Sequence, residues 1–121
     1  MPVKYSLDRE RRLLIVKASG VLVDGDVHAG RQELLDDPDF DRDFGQLFDA
    51  RDVEEVQFSV EVMGRMAQTS ILARESRRAF VATTAYQYRM ASLFVTLAQP
   101  YQPNVRVFRD LDEALAWLAH V

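Results

Sequence analysis

Gly45-Gln46-Leu47-Phe48-Asp49-Ala50-Arg51-Asp52 decides how this chain is read. A short apolar run closes abruptly in Asp-Ala-Arg-Asp, passes through a loop, and re-enters regular structure at Ser59, where a helical pattern opens. A central strand of an α/β sheet delivers polar groups to its carboxyl edge in this way, and ligands of open α/β folds bind outside that edge. The stretch therefore predicts a strand over 45–50. It also predicts a polar rim made of Asp49, Arg51 and Asp52 with Ser59.

Downstream, Val60, Met63, Met66, Ala67, Ser70 and Ile71 recur at helical spacing behind Ser59, with Glu61 suited to the positive end of the helix dipole. Arg74-Glu75-Ser76-Arg77-Arg78 reads as a polar connector to a buried strand, Ala79-Phe80-Val81-Ala82. Thr84 with Gln87 is a capping box, opening a helix that carries Tyr86, Met90, Leu93, Phe94 and Leu97 on one face and stops before Pro100. Val105 to Phe108 is the last strand. Asp110 with Glu113 is a second capping box, opening a terminal helix with Leu111, Ala114, Leu115 and Leu118 inward.

Upstream, Val3 to Leu7 and Leu13 to Ala18 are extended runs joined by a short charged connector, the pattern of an antiparallel hairpin. Gly20 permits a bend. Val21-Leu22-Val23 leads to Asp24 as a helix N-cap, and a weak stripe of Val27, Leu34 and Leu35 ends near Asp37-Pro38. The order β-β-α-β-α-β-α-β-α predicts a single α/β domain over residues 1–121. Its sheet should be mainly parallel, with five strands, an antiparallel N-terminal edge and four helices.

Composition narrows the function. A net charge of −4 argues against a nucleic-acid binder, whose affinity rests on neutralising phosphates. The absence of cysteine excludes disulfides, thiolate metal sites and thiol catalysis. The acidic segment Asp36 to Asp43 lacks the ligand spacing, central Gly and terminal Glu of a calcium loop, so it reads as solvated surface. His28 and His120, the two histidines, are too far apart in sequence to suggest a zinc site. No Gly-x-Ser-x-Gly elbow, P-loop or dinucleotide fingerprint is present. No apolar run is long enough to span a bilayer, the stretch Met1-Pro2-Val3-Lys4-Tyr5 lacks the long apolar core of a signal peptide, and a cytoplasmic location is the expectation.

The element order, together with Gly20-Val21-Leu22 before the first helix and Leu47-Phe48-Asp49-Ala50-Arg51 in the central strand, resembles the SpoIIAA-like family. This is the branch of the STAS superfamily that also looks like the CRAL-TRIO lipid-binding fold. The resemblance covers essentially the whole chain and rests on hydrophobic pattern more than on a chemical motif. It implies a non-enzymatic regulatory or protein-interaction module. Its CRAL-TRIO side implies a carrier or sensor of a lipid or other small apolar ligand.

In phospho-regulated members of that family a serine opens the helix after the central strand, and Ser59 occupies a similar place. A phosphate there would meet free backbone amides. The surrounding Asp-Ser-Ser-Gly turn is missing, however, and Glu61 would repel the phosphate, which leaves Ser59 a helix cap on its residues alone.

Two constellations remain. Asp49, Arg51 and Asp52 read either as an ion-paired loop or as a rim that orients a ligand head group, with Arg51 the anion-binding member. Met63, Met66, Tyr86, Tyr88, Met90 and Phe94 read either as core or as the wall of an apolar pocket or interface, since methionine adapts to varied apolar partners. Tyr88 and Val95 lie off the main stripe of their helix. That second face predicts a homodimer, with peripheral membrane contact as the competing use. No metal and no cofactor are expected.

Overall fold

The computed structural model describes residues 2–119. Strands β1 (Val3–Asp8) and β2 (Leu13–Leu22) form the hairpin. Helix and strand then alternate through α1 (Asp24–Leu35), β3 (Gly45–Val56), α2 (Val60–Gln68), β4 (Arg78–Val81), α3 (Ala85–Ala98), β5 (Val105–Phe108) and α4 (Leu111–Ala119). The strands cross the sheet in chain order, β1-β2-β3-β4-β5. The β1–β2 pair is antiparallel and the three later pairs are parallel, as expected from an initial hairpin followed by helical crossovers.

Side-chain alternation along the strands creates two unequal layers. Leu13, Leu47, Ala79, Val81 and Phe108 form one face, covered by Ala114 and Leu118 of α4. The other face carries Leu14, Val16, Phe48, Phe80 and Val105, covered by Leu34 of α1, Ala67 of α2, and Ala91 and Ala98 of α3. One helix thus protects one side and three protect the other. Gly45 starts β3 where a Cβ would stand 3.1 Å from both the Arg77 carbonyl oxygen and Leu13 Cδ2, so a side chain there would require its neighbours to give by a few tenths of an ångström.

Helix α2 stops at Gln68, before Ser70 and Ile71, and β4 starts one residue early at Arg78, while two strands run well past their expected ends for one reason. β2 continues to Leu22 rather than stopping at Ala18, and β3 continues to Val56 rather than ending at Ala50. Between Lys17 and Ser19, and again between Gly20 and Val21, β3 inserts one more residue than β2. Gly20 takes φ +69° at this irregular pairing, a backbone state that glycine adopts without strain. Each bulge re-aims the strand, so Ala50, Val53 and Val56 all pack inward while Arg51, Asp52, Glu54 and Glu55 face water. An inward spacing of three does not look like a strand to an alternation test.

The helix termini divide in the same way. Thr84 and Gln87 make the expected capping box: Thr84 Oγ1 accepts from the Gln87 amide at 3.1 Å, and Gln87 Oε1 accepts from the Thr84 amide at 3.1 Å. Val23, not Asp24, is the N-cap of α1, and its amide donates to Asp26 Oδ2 at 3.2 Å. Among the described residues the side chains of Asp110 and Glu113 make no hydrogen bond; the acidic first turn of α4 instead suits the helix dipole. Only Leu34 of α1 is buried. That helix is tied to the end of α2 by Arg31, which donates to Thr69 Oγ1 at 3.0 Å and to the Thr69 carbonyl.

Candidate functional site

The rim residues lie within a strand, not at its end. Asp49 follows Leu47 on the face that α4 covers and is 8% exposed. It is gripped by Arg51: Nε donates to Oδ1 at 2.9 Å, Nη2 to Oδ2 at 2.8 Å, and the Arg51 amide to Oδ1 at 3.1 Å. The Arg51 hydrogen bond holds the Asp49 carboxyl below the usual carboxylate range, against burial, with Lys17 adding attraction. Arg51 is correspondingly raised by Asp49. Asp52 pairs at the surface with Lys17 at 3.6 Å. Arg51 and Asp49 thus pair within β3, while Lys17 and Asp52 join β2 to β3 beside the bulge.

Ser59 is not part of that cluster. It is exposed, and its Oγ accepts from the Val62 amide at 3.2 Å, which caps α2. α2 lies on the opposite face of the sheet from the Asp49 side chain, because Ala67 packs with Phe80 while Asp49 shares the side of Leu47. His28 is exposed, and His120 lies outside the described residues. No cluster of potential metal ligands occurs among the described residues.

The pronounced feature is a cavity of about 220 Å³ between the sheet and helices α1, α2 and α3. Met63 and Met66 of α2 and Tyr86, Met90 and Phe94 of α3 contribute to its wall, facing Leu14, Val16, Phe48, Ala50 and Phe80 of the sheet. Phe80 is central, with ring centroids 5.1 Å from Phe48 and 5.3 Å from Phe94. Tyr86 closes the carboxyl edge, its hydroxyl accepting from the Val56 amide at 2.8 Å.

Tyr88 does not reach the cavity. Its ring lies under the Arg109 guanidinium, 4.1 Å from the centroid, and the residue is half-buried. Val95 packs with the Phe80–Ala98 cluster. Both residues of the expected second face of α3 thus have a partner within the chain, Tyr88 in Arg109 just past β5 and Val95 in the cluster at the sheet, and both remain half-buried.

At the amino ends of the parallel strands the cavity wall holds a charge. Arg78 opens β4 and is 9% exposed. Its Nε donates to Gln46 Oε1 at 2.7 Å and its Nη1 to Gln102 Oε1, while the guanidinium lies 5.3 Å and 5.8 Å from the ring centroids of Phe94 and Phe80. Gln102 is 2% exposed, its amide turned toward the Leu72 and Ala73 carbonyls. No carboxylate pairs with Arg78 among the described residues. Burial lowers its pKa to about 10, which leaves it cationic at neutral pH.

Sequence reasoning assigned Arg78 to a polar connector and passed over Gln46 and Gln102. A signal existed: alternation places Arg78 on the face of Phe80, and Gln46 on the face of Phe48.

No protein-family profile and no curated protein matches the chain. A solved structure does. It is an uncharacterized protein of the DUF3478 family with a SpoIIAA-like fold, from Shewanella loihica PV-4, with a TM-score of 0.63 and 18% identity over 96% of this chain and 93% of that one. The architecture, one antiparallel edge on a parallel sheet with helices on both faces, is a SpoIIAA-like fold.

Proposed function

We propose that this protein is a non-catalytic binding module, a carrier or sensor that holds a small apolar ligand between its sheet and α1–α3. The observation that supports this most is the cavity. It is a space of about 220 Å³, open to solvent on one side, whose mainly apolar wall would gain about 25 cal/mol for each Å² that an apolar guest covers. Water is a poor filler, because a mainly apolar wall offers it few of the hydrogen bonds that hold buried water. Methionine and phenylalanine from two helices adapt to an apolar guest.

A binding role fits the wall chemistry better than catalysis does. Its polar side chains are Tyr5, Arg31, Gln46, Ser70, Arg78, Tyr86 and Gln87. None is a carboxylate or imidazole, the usual groups for proton transfer near neutral pH. A regulatory role is the natural extension, with occupancy of the cavity reported to a partner through α1. That helix has one buried residue and a side-chain strap at Arg31, so it is the wall element most easily moved. No described helix is long and apolar enough to cross a membrane.

Titration with 1-aminoanthracene, an uncharged fluorescent probe, tests the reading. Saturable binding of one probe per chain, with blue-shifted emission, is expected. A probe that stays in water at every protein concentration would refute the cavity as a ligand site.

A further inference from the structure

Resting on that reading, we propose that Arg78, held by Gln46 and Gln102, is the anchor for a carboxylate, and that the cavity takes a medium-chain amphiphilic carboxylate with its head group innermost. Two donors beside the cavity have no acceptor among the described residues. A guanidinium presents five N–H groups. Here Gln46 and Gln102 accept from Nε and Nη1, and Nη2 has no acceptor among the described residues. Gln46 Nε2, on the amide whose oxygen is already engaged, has none either. Yet no fully enclosed side-chain nitrogen or oxygen of the described residues lacks a partner. Both donors therefore keep open space beside them, and the space these two residues line is the cavity.

The charge arithmetic agrees with the geometry. A cation this deeply buried is stabilised in folded proteins by a paired anion, since burying it alone is costly. The two glutamine oxygens and the two aromatic faces supply only dipoles and quadrupoles. One unneutralised positive charge matches a singly charged head group. A dianionic phosphate would carry one negative charge more than Arg78 neutralises, and Arg31, the other cation of the wall, is engaged with Thr69. Two oxygens of a planar carboxylate can accept from Nη2 and Gln46 Nε2 together, an arrangement that suits arginine better than lysine.

Size sets the chain. A chain of about eight carbons is short enough to lie within a space of about 220 Å³, so octyl compounds are the probes of choice.

The experiment is a competition on the full chain, in which octanoate, 1-octanol and octyl phosphate displace the uncharged probe from wild type, Arg78→Met and Arg78→Lys. Wild type should prefer octanoate over octanol by at least about tenfold and should bind octyl phosphate less well than octanoate. Arg78→Met should lose octanoate affinity by a similar factor while keeping or gaining affinity for octanol, and without octanoate it should melt no lower than wild type. Arg78→Lys, which keeps the charge, should retain only part of the preference.

Other results would overturn the anchor while leaving the cavity reading in place. These are equal displacement by octanoate and octanol, preference for octyl phosphate, or a preference unchanged in Arg78→Met. If Arg78→Met does not fold, a Gln46→Leu variant must show the same selective loss of octanoate, and an unchanged preference there counts against the anchor. Binding of none of the three, nor of the probe, would remove both the cavity reading and its anchor.

Discussion

At Asp49 a single carboxylate is held by three donors from Arg51, and this contact is open to a pH test. Arg51 keeps the folded-state pKa of Asp49 below the ordinary value of about 3.9. A carboxyl whose pKa is depressed on folding contributes stability that is fully present above its unfolded pKa and is lost as pH falls through the lower folded value. Asp49→Asn should therefore cost about 1–2 kcal/mol at neutral pH, a modest figure because Arg51 is partly solvated. Urea midpoints of variant and wild type should begin to approach each other as pH drops below about 4 and should meet only below the lower folded-state pKa of Asp49. A gap that stays constant into acid would mean that the charge is irrelevant and only the side-chain shape matters. The Asp-Ala-Arg-Asp cluster is plain in the sequence. Its role as a pair across a bulge is not, because that depends on where β2 brings Lys17.

At the scale of elements, the join between α3 and β3 decides the shape of the cavity's carboxyl edge. Gln87 is 5% exposed and does two jobs with one amide. Its oxygen accepts from the Thr83 and Thr84 amides to cap α3, and its Nε2 donates to the Arg51 and Val53 carbonyls at 2.8 and 2.9 Å. Those carbonyls flank the bulges, where the regular ladder is interrupted. Gln87→Ala would leave buried carbonyls unpaired and a cap undone, at a cost of about 2–4 kcal/mol. The same variant should speed hydrogen exchange at Val53 and at the first turn of α3. A variant within about 0.5 kcal/mol of wild type would show that the bulged strand holds itself. The capping box was legible from Thr84 and Gln87 alone, since both partners are local. The second half of Gln87's work joins residues far apart in the chain, and no local pattern announces it.

At the scale of the whole molecule, one helix covers one face of the sheet while three cover the other, and the cavity lies under the three. If that space is a ligand site and not a packing defect, filling it should trade binding for stability. Ala91 lines it from α3 and is 8% exposed. Ala91→Leu should raise the urea midpoint by an amount worth about 1 kcal/mol and should weaken the uncharged probe. A loss of stability without loss of probe binding would place the open space elsewhere. The distant structural neighbour shares the fold at 18% identity and says nothing of a ligand, so the weight of the binding reading falls on this chain's own cavity wall.

The sequence by itself determined the order of elements, the parallel sheet with its antiparallel edge, the Ser59 and Thr84 caps, and the apolar stripes of α2 and α3. These follow from periodicity and capping, which act over a few residues and are written in the chain directly. Only the tertiary structure decided that β3 runs through Asp49 to Val56, that Ser59 and Asp49 belong to opposite faces, and that Arg109 covers Tyr88. It alone placed Arg78 between Gln46 and Gln102 at the wall of a cavity. The reason is physical. Bulges change the facing of every residue beyond them, and a buried charge is defined by what lies across the sheet from it, which no stretch of sequence contains.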